Sequence, residues 1–190
     1  DAVVTASNIV QNEALFRLGL SLDLIAFITD VIVSVLLYQM FKPFGKTLAM
    51  TSAALRLIAH PAIGSLNLLN HYLAYHILGD AEFLTVFDEA QRQSFSLLFM
   101  DAHRSGYLIA GGFFGLHCLL LGILIYKSNT IPNIFGGLLI GSAVGYLIET
   151  FGDFSLPGYE EVTALLVGVA AGVGELSFTF YLLIRGSKLH

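Results

Sequence analysis

Between Thr47 and Tyr75 the chain reads TLAMTSAALRLIAHPAIGSLNLLNHYLAY, a stretch long enough to cross a bilayer that nonetheless carries Arg56, His60, Asn67 and His71. Steps of four, seven and four residues separate these polar groups. With a helical period of about 3.6 residues they return to nearly one side and form a stripe. An arginine near mid-bilayer costs about 2.5–3.5 kcal/mol on insertion scales, so it faces protein or water and takes a partner. Pro61, directly after His60, removes one backbone hydrogen bond and predicts a kink that frees a carbonyl beside the stripe. The rest of the chain has to supply an acid at the right depth.

Of 190 residues, 56% are hydrophobic and 12% charged, with a mean hydropathy of +0.78. That apolar share exceeds the range of soluble domains. The fold class that follows is all-α: a polytopic transmembrane helical bundle, one domain over residues 1–190, with the lipid bilayer as its first partner. Five spans are expected, over about 14–41, 47–75, 95–126, 132–149 and 162–184, with an amphipathic surface helix over about 81–93. Residues Asp1–Glu13 read as a short polar segment at the membrane surface, Ser7 or Asn8 capping the first span. A formal charge of −5 and the lack of a basic cluster exclude nucleic acid as a partner. Cys118 is the single cysteine, so no intrachain disulfide forms. The chain opens at Asp1 without a basic region and apolar core, and a processed or truncated product is expected.

The turn KPFGK at Lys42–Lys46 joins the first two spans as an antiparallel hairpin. Folding about Pro43–Phe44 places Asp30 opposite about residue 57 and Asp23 opposite about residue 64, for equal helical rises on both sides. Asp30 is therefore expected to pair with Arg56, and Asp23 to lie about one turn from His60. Counted from the same membrane face, Asp30 sits about 8–11 residues deep and Arg56, His117 and Glu175 about 9, which puts all four at about 14 Å. Four spans thus contribute ionisable groups to one layer. An outer layer of His71, Asp101, His103, Arg104 and Glu149, with His76 beside it, is expected near the opposite interface.

Several roles fit these candidates. Asp23, Asp30, Arg56, His60, His117 and Glu175 are the set that would bind a small ligand or move protons, histidine being able to change charge near neutral pH. The bland alternatives are a register-fixing ion pair for Asp30 and Arg56 and hydrogen-bonded core histidines for His60 and His117. A second class is a membrane enzyme acting on a lipid, quinone or small molecule, with a metal held by histidine and carboxylate. Two histidines on separate helices also suit a b-type haem, against which their mismatched depths argue. Neither a metal nor any other cofactor is fixed by these spacings, and no zincin, P-loop, Rossmann or Ser-His-Asp pattern occurs. A third class is a structural subunit packed against a membrane-protein partner through Gly137, Gly141 and Gly145, which repeat every fourth residue.

The stretches ASNIVQNEALFRLGL, KPFGKTLAMTSAALRLIAH, DAHRSGYLIAGGFFGLHCLLLGILIYKS, GYLIE and GELSFTFYLLIRG together resemble a bacterial membrane family. It is the family catalogued as domain of unknown function 4386. Arg17, Arg56, Asp101, His103, His117 and Glu175 lie within the resembling motifs. The resemblance implies a bacterial cell membrane and a six-helix protein whose first helix precedes Asp1. It carries no assigned activity.

Lys42, Lys46, Lys127, Arg185 and Lys188 fall on one side of the expected spans, whereas the opposite loops hold Asp80, Glu82, Asp88, Glu89, Asp153, Glu160 and Glu161 against a single Arg92. The positive-inside rule makes the basic side, and the C-terminus, cytoplasmic. Accessibility labelling should accordingly find cysteines placed near Lys127 and Lys188 on the cytoplasmic side, and those near Glu82 and Glu160 outside. Labelling on the reverse faces would overturn this orientation.

Overall fold

The computed structural model describes residues 1–186. It is an all-α bundle with no strand among the described residues: α1 (Ala2–Gln11), α2 (Glu13–Phe41), α3 (Lys46–Leu57), α4 (Ser65–His76), α5 (Glu89–Ser128), α6 (Asn133–Ser155) and α7 (Glu160–Arg185). A π-helical segment, Ile58–Gly64, joins α3 to α4 without a break in the helical backbone. Among the described residues four helices are long and apolar enough to cross a membrane: α2 extended through Phe44, then α5, α6 and α7. The fifth passage, α3 through α4, has comparable length but carries the polar stripe. Apolar side chains such as Ile25, Ile32, Leu165, Val169 and Leu183 stay exposed on α2 and α7, which is the surface hydrocarbon would cover.

Local sequence sets several boundaries. Asp1 caps α1 by accepting from Val3 N at 2.9 Å and Val4 N at 3.3 Å. The first residues therefore form a helix packed against α5, in place of the loose polar segment and the Ser7 or Asn8 cap expected from the sequence. The expected surface helix over 81–93 is likewise absent. Glu82–Leu84 form a short turn, and residues 89–93 belong to α5, because Asp88 and Gln91 build a reciprocal capping box that starts that helix at Glu89. The two bonds measure 2.8 Å, Asp88 Oδ1 from Gln91 N, and 2.9 Å, Gln91 Oε1 from Asp88 N. α5 ends at Asn129, whose φ of 50° is a left-handed cap. Gly158, at φ +98°, makes the turn into α7, a conformation that strains other residues. Lys188, one of the residues in the charge count above, lies outside the described residues.

At 40 residues α5 is about 60 Å long by helical rise, twice the hydrocarbon thickness, and it is the central post of the bundle. Its length lets α1 and α4 pack near its start and α3 and α6 along its middle and end. One core cluster, with Leu37, Phe41, Leu124, Ile125 and Phe178, closes the end near Lys42 and Lys127. A second, with Ala59, Phe114, Cys118 and Ala143, sits at mid-height. The backbone of α7 comes close only to that of α6, so a seam remains between α7 and α2.

Glycines bring α5, α6 and α7 together, though not as the Gly137, Gly141 and Gly145 repeat suggests. Gly145 is buried against Val167 and Ala170 of α7, Gly137 faces the Tyr126 hydroxyl, and Gly141 meets nothing within 4 Å. Gly145 is thus used within the bundle by α7, while Gly141 faces open space. The close approach occurs instead at Gly122 and Gly136, where a Cβ on Gly122 would stand 2.7 Å from the Gly136 carbonyl oxygen. Gly122→Ala should destabilise the fold by roughly 1–3 kcal/mol, the scale of overpacking, while Gly141→Ala should leave the thermal midpoint unchanged. Denaturation of both variants in the same detergent checks this; equal midpoints would place the tight contact elsewhere.

Candidate functional site

The hairpin of α2 and α3 puts the Arg56 guanidinium against the Asp30 carboxylate. Nε donates to Asp30 Oδ1 at 2.8 Å and the same oxygen accepts from one terminal nitrogen. Asp30 is 9% exposed and Arg56 17%, so the pair is shielded from water and fully charge-assisted. Asp30 Oδ2 meets His60 Nδ1 at 3.0 Å. The remaining face of Arg56 turns to α5: Nη1 lies 3.2 Å from His117 Nε2, and the guanidinium carbon 5.1 Å from the centre of the Phe114 ring.

These partners assign the His117 tautomer. Arginine only donates, so Nε2 of His117 accepts. Nδ1 lies 2.9 Å from the Ser52 carbonyl oxygen, which only accepts, so Nδ1 carries the hydrogen. The Ser52 hydroxyl sits 2.9 Å from the same nitrogen and donates to the His117 carbonyl at 3.2 Å. His117 is therefore a neutral strut tying α3 to α5.

His60 reaches Asp30 because the helix is locally widened. Pro61 cannot donate to the preceding turn, and the Ser65 amide bonds back to the His60 carbonyl, five residues away. The His60 ring stacks on Phe114 at 4.4 Å and on Phe27 at 5.9 Å. Asp23 does not serve His60. It accepts from the Tyr107 hydroxyl at 3.1 Å, being two turns further along α2, whereas His60 is only one turn beyond Arg56 and reaches the free oxygen of Asp30.

Two cavities border this node. The inner one, about 100 Å³, occupies the seam between α2 and α7 and is lined by Arg56, His117, Cys118 and Glu175 among apolar neighbours. The outer one, about 270 Å³, is lined by His60, Arg104, Tyr107, Tyr146 and Glu149. Phe114 contributes to both. Tyr146 lines the outer cavity while its hydroxyl donates to Glu175 Oε1 at 2.8 Å, so this one side chain spans from outer lining to inner carboxylate.

The expected outer layer separates into local pairs. His103 lies 3.1 Å from the Asn67 carbonyl through Nδ1, and Asn67 Nδ2 donates to the His103 carbonyl at 2.7 Å. The His71 ring packs on Phe16 at 4.1 Å and on His103 at 5.1 Å. Arg104 bonds Asp153 at 2.5 Å, and Asp101 is exposed. His76 stacks on Tyr72. Among the described residues no group of three His, Cys, Asp or Glu side chains is arranged to hold a metal ion. Ser52 and Tyr146 join the site without belonging to any expected layer, and Asp153, an acid of the opposite side, serves as the partner of Arg104. Ser52 precedes Arg56 by four residues and extends the polar stripe one step, and Tyr146, Glu149 and Thr150 share one face of α6.

Membrane-length helices around an ion-paired node mark a multi-pass membrane protein. The chain belongs to the family described as Domain of unknown function (DUF4386), whose model matches residues 1–186. It is similar to an "Uncharacterized protein" of Archaeoglobus fulgidus, 32% identical over 162 residues that cover 85% of this chain and 80% of that protein. No solved structure matches it.

Replacing Asp30 by Asn or Arg56 by Gln alone should cost roughly 3–5 kcal/mol, since each leaves a buried charge unpaired, and the double replacement should cost less than the sum. A double-mutant cycle on unfolding free energy tests the pair. Additive losses would mean the two do not interact.

Proposed function

We propose that this protein binds protons within the bilayer and passes them between the two cavities, with its basic ends in the cytoplasm. The observation that carries this reading is the placement of His60 and Tyr146 on the outer cavity and of Glu175 on the inner one, with Phe114 between. Arg56 keeps its proton under all ordinary conditions and fixes Asp30 as a permanent counterion, which leaves the Glu175 carboxylate as the inner group that takes and releases the proton. The Tyr146 hydroxyl bridges the two sides. As its hydrogen moves to Glu175 Oε1, its oxygen takes another from the outer cavity, so the phenol ends unchanged and one proton has moved inward. A cavity of about 100 Å³ holds about three waters, at about 30 Å³ each, enough to carry the proton onward from Glu175.

The reading of a metal-dependent membrane enzyme is less well supported, since the described residues offer no clustered ligand set. In proteoliposomes loaded with a pH-sensitive dye and energised by a potassium gradient with valinomycin, the protein should acidify the lumen. Glu175→Gln and Tyr146→Phe should each slow this by about a hundredfold, the scale of a positioned proton-transfer group. Flux from the native protein no greater than from empty vesicles, at either polarity, would reject the proposal.

A further inference from the structure

We infer that the outer cavity is a binding site for a compact organic ammonium ion, seated against the Glu149 carboxylate and the rings of Tyr107, Phe114 and Tyr146. Charge accounting leads there. Arg104 lines the cavity, but its guanidinium is taken by Asp153, whose side chain is 4% exposed and whose second oxygen accepts from Thr163 at 2.6 Å. Asp30, reached through His60, is balanced by Arg56. Glu149 makes no ion pair among the described residues, so the cavity is lined by one carboxylate whose oxygens are free to receive a cation. Three aromatic rings line the same space, and the face of an aromatic ring attracts a cation.

An organic cation fits this lining better than a metal ion. A hard cation needs about six oxygen ligands, whereas the cavity offers one carboxylate, its Tyr107 hydroxyl being directed to Asp23 and its Tyr146 hydroxyl to Glu175. At about 270 Å³ the volume lies at the small end of ligand pockets, which limits the occupant to a few carbons around the nitrogen. The cation would be what the protein exchanges against protons. That coupling rests on the proposed proton pathway, while binding itself does not.

Calorimetric titration of the full chain in phosphatidylglycerol nanodiscs with choline tests the site. The neutral isostere 3,3-dimethylbutan-1-ol serves as control. Choline should bind saturably with one site, the alcohol should not, and Glu149→Gln should weaken choline by about tenfold or more. Tyr107→Phe keeps a ring in place and should retain binding, whereas Tyr107→Leu should weaken it, with thermal midpoints showing that each variant is folded. Loss of choline binding in phosphatidylcholine nanodiscs would identify a lipid headgroup as the natural occupant, and unchanged binding there a free amine; either result supports an ammonium site. No heat of binding in phosphatidylglycerol, or equal affinity for the alcohol or for Glu149→Gln, would overturn it. Proton flux without choline binding would sink this site alone, and choline binding without flux would sink the proton reading alone.

Discussion

A guanidinium in the middle of an apolar bundle dictates much of what surrounds it. Arg56 cannot shed its charge, so every donor it presents has to find an acceptor inside the protein. Nε and one terminal nitrogen go to Asp30 on α2, and Nη1 goes to His117 on α5. One side chain thus ties three helices. It also determines a fourth group, because a histidine that accepts at Nε2 must donate at Nδ1, and the Ser52 carbonyl is there to receive it. A buried ion pair contributes little net stability over a packed apolar pair, and its value lies in the arrangement it imposes.

That arrangement leaves one oxygen of Asp30 to spare, and the π-helical segment is what brings His60 to it. In a regular helix the proline would set a carbonyl against its ring. Widening the turn removes that clash and lets the Ser65 amide take the His60 carbonyl. The same distortion turns the His60 ring onto Phe114 and into the outer cavity. Local backbone irregularity and the exposure of a titratable ring therefore share a cause, the single residue Pro61.

The parts of this structure that follow from one helix and one turn are legible in the sequence. Counting outward from KPFGK places Asp30 level with Arg56, since both arms of a short hairpin rise equally, and long apolar runs mark the membrane-length helices. What depended on choosing among partners was not legible. Asp23 and Asp30 are both on the right face of α2, and only the widened segment decides which of them His60 meets. The Asp88 and Gln91 capping box was readable from spacing, yet the hydrophobic pattern of residues 81–93 suggested a helix of their own. Glu175 was visible as a mid-span carboxylate, but its Tyr146 partner lies on another helix and has no fixed sequence offset. The Gly137, Gly141 and Gly145 repeat marks a small-residue face, but spacing within one helix does not say which neighbour takes each glycine: α7 packs on Gly145 and leaves Gly141 open.

Phe114 is where these threads cross. Its ring packs on His60 at 4.4 Å, on His117 at 5.4 Å and on Tyr146 at 5.3 Å, with the Arg56 guanidinium 5.1 Å from its centre. The residue lines both cavities, and His60, His117, Tyr146 and Arg56 all pack around its ring. The ring stands between the two cavities, and the guanidinium and the histidine rings pack favourably on it. Removing charge from any one of its neighbours changes what the ring packs against. The apolar side chain at the centre of the node is thereby as much a part of the site as the ionisable groups, even though nothing in its own chemistry distinguishes it from the other phenylalanines of the sequence.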